Sequence, residues 1–216
     1  MISLSYCVAA PIKQHTKELD TWIEHLKNFK PSPDEIILSS ENDFPSREDV
    51  TFLKVENLYI PKEFIGKEGE RHYRIGLARE TIRRYISDNT KHAFTFWLDS
   101  DVYCMNEYTP LIFAGLVNLI PCSVLVNEIT SISGYPPISL GCIFMSRNIL
   151  QLSCFMPYGH FSEDSLFYVT LNNLLALGYD FKIVYGKVVP VKHIREGKEM
   201  ELPPPDLDLK VIQRQK

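Results

Sequence analysis

No C-x-x-C pair occurs among the five cysteines (Cys7, Cys104, Cys122, Cys142 and Cys154), and an odd number in a chain of 216 residues does not make a disulfide framework. That pattern fits a reduced, cytoplasmic compartment. Positive charge is not in excess. The formal net charge of -4 argues against a protein built around nucleic-acid phosphates, so an anionic substrate would have to meet a bound cation or local arginines. No apolar run is long enough to cross a bilayer, since the longest, Leu111 to Val126, is broken by Asn118 and Pro121. The apolar start, Met1 to Pro11, has no Lys or Arg ahead of it, so a first buried strand explains it better than a secretory leader. Internal repeats and low-complexity tracts are missing as well; only residues 195–216, with Pro203-Pro204-Pro205, change character. What is present is a 45% hydrophobic, 12% aromatic chain, enough for the large core of one globular domain.

In order, the chain alternates strand and helix. Ile2 to Ala10 reads as a strand. Thr16 caps a helix with Leu19, Trp22, Ile23 and Leu26 on one face, ending before Pro31. Glu35 to Leu38 is a second strand, followed by the polar loop Ser39-Ser40-Glu41-Asn42-Asp43, and Thr51 to Val55 is a short third one. Glu56 to Glu70 reads as a mobile segment marked by Gly66 and Gly69. A helix from about Arg71 to Ser87 stacks Ile75, Ala78, Ile82 and Tyr85, turning Arg83 and Arg84 toward solvent. It leads into Ala93 to Leu98, whose near-continuous apolar character fits a central strand covered on both faces. Leu111 to Leu119 looks helical. Ser123 to Val126, Gly141 to Met145, Phe181 to Tyr185 and Lys187 to Val191 look like strands, and a helix after Ser162 is expected to bury Leu166, Thr170, Leu174 and Leu177 before Gly178. Strands alternating with helices predict an α/β fold with a mainly parallel central sheet flanked by helices.

Four places carry chemistry, each with a plainer alternative. The central strand ends in Asp99-Ser100-Asp101, and alternation along an extended chain puts both carboxylates on one side, as a two-oxygen clamp or simply as a strand cap. Ligands of open α/β sheets collect at this end of the strands. Arg79 lies at the edge of its helix stripe, either paired with a carboxylate or phosphate or snorkelling to the surface. Glu163 and Asp164 open a helix behind Ser162, where acidic residues are favoured by the dipole whether or not they do chemistry. His193 follows an apolar run, and an isolated histidine is more often structural than a metal ligand.

Taken together and in order, Gly76-Leu77-Ala78-Arg79, Trp97-Leu98-Asp99-Ser100-Asp101 and Gly159-His160-Phe161-Ser162-Glu163-Asp164, with the late His193, resemble the GT-A glycosyltransferases, most closely the inverting, family-2-like members. The resemblance spans about Ile2 to His193. It implies a single catalytic domain over 1–194, with a donor half at 1–102, an acceptor half at 103–194, and a tail at 195–216. It implies a nucleoside-diphosphate sugar as donor and a Mn or Mg ion bridging carboxylates to phosphates. Asp101 is then the direct ligand, with Asp99 on the ribose or on the metal through water and His193 completing the shell. Ala10, Glu41 and Arg79 join the donor site. Asp164 is the implied base that takes the proton of an acceptor hydroxyl, and Glu163 and Tyr135 bind the acceptor, a glycan, lipid or protein. The helix dipole would keep Asp164 ionised but make it a weaker base, to be offset by desolvation. Tyr135, Tyr158 and Phe161 are candidates for stacking on sugar rings.

The chain departs from the family in two places. Its loop after strand two replaces the usual Asp-Asp-Gly-Ser pattern, and it lacks the Q-x-x-R-W motif of processive members, which points to a single transfer rather than polymerisation. Residues 195–216 read as a lid over the donor or as a disordered end, and Leu207, Leu209, Val211 and Ile212 among charges give them an amphipathic character suited to a membrane surface or partner. Two other functions stand beside this one. A sugar-nucleotidyltransferase would open with a Gly-rich basic loop, which Ala9-Ala10-Pro11-Ile12 is not. A catalytically inactive, transferase-like glycan-binding or structural protein is opposed by the joint retention of Asp99, Asp101, Asp164 and His193.

Overall fold

The structure is a computed structural model that describes residues 4–56, 59–119, 124–128, 140–156, 162–195, 198–200 and 209–213. In chain order it contains β1 (Tyr6–Pro11), α1 (Lys17–Lys27), β2 (Glu35–Ser40), β3 (Thr51–Lys54), a 3-10 turn (Lys62–Phe64), α2 (Lys67–Asn89), β4 (Phe94–Leu98), β5 (Val102–Cys104) and α3 (Thr109–Leu119). These are followed by β6 (Val124–Asn127), β7 (Cys142–Ser146), α4 (Arg147–Leu152), α5 (Glu163–Ala176), β8 (Lys182–Gly186), β9 (Val191–Arg195), β10 (Lys198–Met200) and β11 (Lys210–Gln213). The main sheet has the order β11-β8-β6-β7-β4-β1-β2-β3, and a small sheet, β10-β9-β5, branches from the end of β4. Pairings of β4 with β1, β1 with β2, β2 with β3 and β6 with β8 are parallel, while β7 runs antiparallel between β4 and β6.

Alternation along each strand divides the core into two layers. Val8, Ala10, Phe96, Leu98 and Phe144 face one side with α1 and α3, where Trp22, Ile23, Leu26 and Phe113 are buried. Cys7, Ala9, Trp97, Ile143 and Met145 face the other, with α2, α4 and α5, where Ile82, Ile86, Leu150, Phe167 and Leu171 are buried. Each such side chain contributes about 1.5–3 kcal/mol on leaving water, so both faces of the sheet must be covered. The position of Trp22 is fixed further by its indole N–H, which donates to the Val102 carbonyl at 3.0 Å. The Thr16 hydroxyl caps α1 by accepting from Leu19 N–H, as its sequence indicates.

Several elements differ from the sequence reading. Gly66 and Gly69 stand at the start of a helix rather than in a loop. Gly66, at φ 132°, is the turn before α2, and Gly69 sits in the first turn of that helix, where a Cβ would stand 2.7 Å from the Phe64 carbonyl oxygen. The helix therefore starts at Lys67, ahead of Arg71. Lys187 to Val191 is not a strand over its length, because buried Asn127 takes over the backbone there. Its Oδ1 accepts from Val188 and Val189 N–H at 2.8 and 2.9 Å, and its Nδ2 donates to the Val189 carbonyl.

Helix α5 is rotated from expectation. It buries Glu163, Phe167, Leu171, Leu174 and Leu175, whereas Leu177 is 78% exposed. Phe167 stacks on Phe155 at 5.1 Å, and that contact sets the rotation. Arg84 is exposed as expected, but Arg83 turns onto the buried Glu80, donating from Nε and Nη2 at 2.8 and 2.7 Å. The described parts of 195–216 are strands at the edges of the two sheets. Lys198–Met200 pairs with β9, and Val211 and Ile212 align with Val184 and Ile183 at the sheet edge. Among the described residues no helix is long and apolar enough to cross a membrane.

Candidate active site

The central strand β4 delivers Trp97 to the α2 face, and one alternation later Asp99 leaves the sheet toward the same face. There it meets Arg79. The guanidinium donates from Nη2 to Asp99 Oδ1 at 2.8 Å and lies over the Trp97 ring, 5.5 Å from its centroid. The paired reading of Arg79 holds and the snorkelling one fails: the residue is 2% exposed. Burial works against its charge, yet Asp99, then Asp164 and Glu163, hold its ionisation above the ordinary arginine value.

Asp101 does not share the surroundings of Asp99. The chain turns between them, with Val102 N–H donating to the Asp99 carbonyl at 2.9 Å, so strand alternation no longer applies past Asp99. The Asp101 carboxylate meets His193 instead, Oδ2 to Nε2 at 3.2 Å. Pairing of β5 with β9 places Val102 opposite His193, and Ile194 N–H donates to the Asp101 carbonyl at 2.8 Å. His193 thus reaches the acidic turn from 92 residues away, within a strand rather than after one. Among the described residues no three Asp, Glu, His or Cys side chains form a group that could hold a metal by themselves.

The other acidic pair enters from α5. Ser162 caps the helix, its hydroxyl accepting from Ser165 N–H at 3.4 Å. Glu163 lies on the same stripe as Phe167 and Leu171, which decides its direction: it is 6% exposed, and its Oε2 has no partner among the described residues. Burial raises its ionisation above the carboxylate range, against the pull of Arg79. Asp164 accepts from Leu140 N–H at 3.3 Å. Burial, then the neighbouring Glu163 charge, push it up to about 7, with Arg79 opposing and Asp99 adding to the rise. Desolvation here exceeds the helix dipole, so Asp164 is a stronger base than its position in the first helical turn implies.

Residues Leu140 and Gly141, which the sequence does not single out, join these pieces. The Leu140 carbonyl faces Arg79 Nη1 at 3.5 Å while its N–H serves Asp164, and the Gly141 carbonyl accepts from Asp99 N–H at 3.0 Å. The only sequence signal for them is their place at the start of β7, which pairs beside β4.

Two expected donor residues lie at the ends of neighbouring strands. The Ala10 side chain is inside the core, so only its backbone is left to face a ligand. Glu41, just past β2, is paired with Arg74 of α2, a partner the sequence reading misses although it lies five residues before Arg79 on the same helix. The loop beside it is tied down at the Lys13 carbonyl, which accepts from Ser40 Oγ at 3.0 Å and Asn42 Nδ2 at 2.6 Å. Tyr135, Tyr158 and Phe161 lie outside the described residues.

No protein-family model matches the sequence, and no curated protein matches it. Solved structures do. The chain is similar to TarS of S. aureus at a TM-score of 0.54 and 14% identity, covering 77% of this chain and 33% of TarS. It is similar to A197 of STIV at a TM-score of 0.54 and 11% identity, covering 98% of this chain and 95% of that one. It is also similar to PcManGT, a mannosyltransferase of Pyrobaculum calidifontis solved with GDP-Man and Mn2+, at a TM-score of 0.52 and 13% identity, covering 81% and 52%. The chain thus spans about a third of TarS and about half of the mannosyltransferase. With acidic residues at the end of a central strand, a mixed sheet and helices on both faces, the chain has the GT-A-like fold of the glycosyltransferases.

Proposed function

We propose that the protein is a metal-dependent glycosyltransferase of the hexosyltransferase type. It would move one sugar from a nucleoside-diphosphate sugar to an acceptor hydroxyl on a glycan, lipid or protein, with inversion. One observation carries this reading. An Asp101–His193 pair with an exposed carboxylate and a half-buried Asp164 stand at the same end of the sheet, joined through Asp99, Arg79 and Leu140.

The Asp101–His193 pair fits a Mn or Mg ion. The Asp101 side chain is 43% exposed, and its carboxylate brings a hard oxygen within 3.2 Å of an imidazole nitrogen. Cations that work on phosphates take one or two protein ligands and leave their other positions to the substrate, so two protein groups suffice. When bound, such an ion supplies charge that stabilises the departing diphosphate. Asp99, steadied by Arg79, is left to receive the donor's ribose, and Glu41 with the Ala10 backbone lines the nucleoside end. Residues 1–102 thereby form the donor half and 103–194 the acceptor half.

Asp164 takes the proton of the attacking hydroxyl. A base titrating near neutral pH accepts that proton more readily than an ordinary carboxylate, and burial gives it that strength. Glu163 beside it orients acceptor hydroxyls. The base lies across the sugar from the leaving diphosphate, and inversion follows. PcManGT was solved with GDP-Man and Mn2+, and a TarS fragment with UDP-GlcNAc, which supports a nucleotide-sugar donor.

The test is a thermal-shift and calorimetric screen of UDP, GDP, CDP and dTDP with and without Mn2+. Metal-dependent stabilisation by one of them is expected. A folded protein that binds none would turn the assignment to a non-catalytic, glycan-binding role.

A further inference from the structure

We infer that Arg79 is the positioning residue of the base: one buried guanidinium ties together the donor-side carboxylate Asp99 and the backbone segment at Leu140 that meets the base Asp164. The inference rests on the reading of Asp164 as the base. It extends that reading by giving the two halves of the site one shared support.

The geometry leaves Arg79 little freedom. Its side chain is 3% exposed, and the guanidinium is held over Trp97, which packs in turn on Phe155 at 5.0 Å. Of its two terminal nitrogens, Nη2 is fixed by Asp99 and Nη1 faces the Leu140 carbonyl. Leu140 presents its own N–H to Asp164. The two groups belong to successive peptides, and the segment that carries them is pinned a second time where the Gly141 carbonyl accepts from Asp99 N–H at 3.0 Å. Arg79 and its partner Asp99 therefore hold the segment that carries the donor to the base, and Arg79 does so without a hydrogen bond to the base itself.

Charge reinforces this arrangement. Asp164 is faced by Glu163 from its own helix, by Arg79 from α2 and by Asp99 from the end of β4, and Arg71 of α2 acts on Glu163. Asp99, Glu163 and Asp164 are three carboxylates that share the buried Arg79 cation, and the ionisation of Glu163 and Asp164 depends on that shared charge. A snug arginine in such a place resists replacement by lysine, whose point charge cannot serve Asp99 and the Leu140 carbonyl at once.

The experiment uses the full chain, labelled with 13C at aspartate carboxyls and with 15N in arginine side chains, titrated by NMR. Asp164→Asn identifies the Asp164 signal by its loss. In the parent protein the Arg79 Nη resonances should move with pH at the midpoint of Asp164, and that step should vanish in Asp164→Asn. Arg79 resonances that stay flat through the Asp164 midpoint would overturn the inference, and this readout needs no Arg79 variant to fold. In Arg79→Met the Asp164 midpoint should rise by about one pH unit or more, and in Arg79→Lys, which keeps the charge but loses the two-sided fork, it should return only part of the way. A merely structural arginine would lower the melting temperature of Arg79→Met and leave the midpoint where it was, which also overturns the inference. The nucleotide screen stands apart from both outcomes: if no nucleotide binds, the transferase assignment fails while the Arg79 titration still reads the coupling.

Discussion

The two acidic pairs of this protein look alike in sequence and are opposites in structure. Asp99 and Asp101 leave the central strand into an open turn, and each has a cationic or imidazole partner, Arg79 for one and His193 for the other. Glu163 is drawn into the protein by the packing of α5, with one carboxylate oxygen that has no partner among the described residues, and Asp164 beside it is half-buried. The open pair suits capture of a cation and phosphates from solution, where exposure leaves room for ligands. The dry pair suits handling of a proton, because desolvation raises its affinity for one. A shared residue type therefore says little about role until burial is known.

The sharpest way to break this comparison is to remove the base. Asp164→Asn preserves shape and removes the proton acceptor, so transfer should fall by about 100- to 10,000-fold while nucleotide binding is kept. Product formation beside calorimetric nucleotide titration checks both halves of that statement. Transfer at the parent rate would make the dry pair structural. The opposite loss is expected from Asp101→Ala. Loss of a metal's outer partner costs about 10- to 100-fold in affinity, and a direct ligand should cost at least as much, seen as disappearance of the Mn2+-dependent part of nucleotide binding. Equal loss of both readouts in both variants would erase the division of labour between the pairs.

How far the sequence shows this division depends on the range of the interactions. Local ones are legible: Thr16 and Ser162 as helix caps, the Leu19-Trp22-Ile23-Leu26 stripe, and the acidic end of β4 all follow from neighbours within a few residues. The partner of Asp101 is not, because it depends on β9 returning antiparallel to β5 across 92 residues, and short apolar runs do not state which strand they join. Nor is the inward turn of Glu163. Its four-residue spacing to Phe167 and Leu171 is visible, but a leucine-rich helix offers competing stripes, and only the Phe155 contact selects one. Gly69 misleads for a similar reason, since the demand for a missing Cβ comes from the Phe64 carbonyl and not from flexibility. The role of Leu140 is carried by backbone atoms, on which side-chain identity is silent.

Acidity gives a second handle on Asp164. The folded state raises Asp164 from 3.8 to about 7, so it holds a proton that the unfolded chain has released across that window. Stability contributed by the protonated form is present below the window and is lost as pH rises through it. The melting temperature of the parent protein should therefore fall, relative to Asp164→Asn, between pH about 4 and about 8. Activity should run the other way, dropping about tenfold for each pH unit below the Asp164 midpoint because only the ionised carboxylate accepts a proton. Parallel melting curves for the two proteins would mean that Asp164 is as well solvated as the open pair.

The smallest effect is expected from Glu163→Gln, and it tests what makes the dry pair dry. Glutamine keeps the shape and removes a charge that burial opposes, so the variant should be no less stable than the parent at neutral pH and more stable by up to about 2 kcal/mol. Removing that charge also takes away the second largest cause of the rise at Asp164, after burial itself. The Asp164 midpoint, and with it the acidic limb of the rate profile, should move down while the maximal rate changes little and the acceptor KM increases through the altered hydroxyl contact. If Glu163 were ionised and firmly paired, the variant would instead lose stability, since the substitution would strand its partner. The direction of that small change therefore decides whether the helix start is a two-carboxylate device or one base beside a structural glutamate.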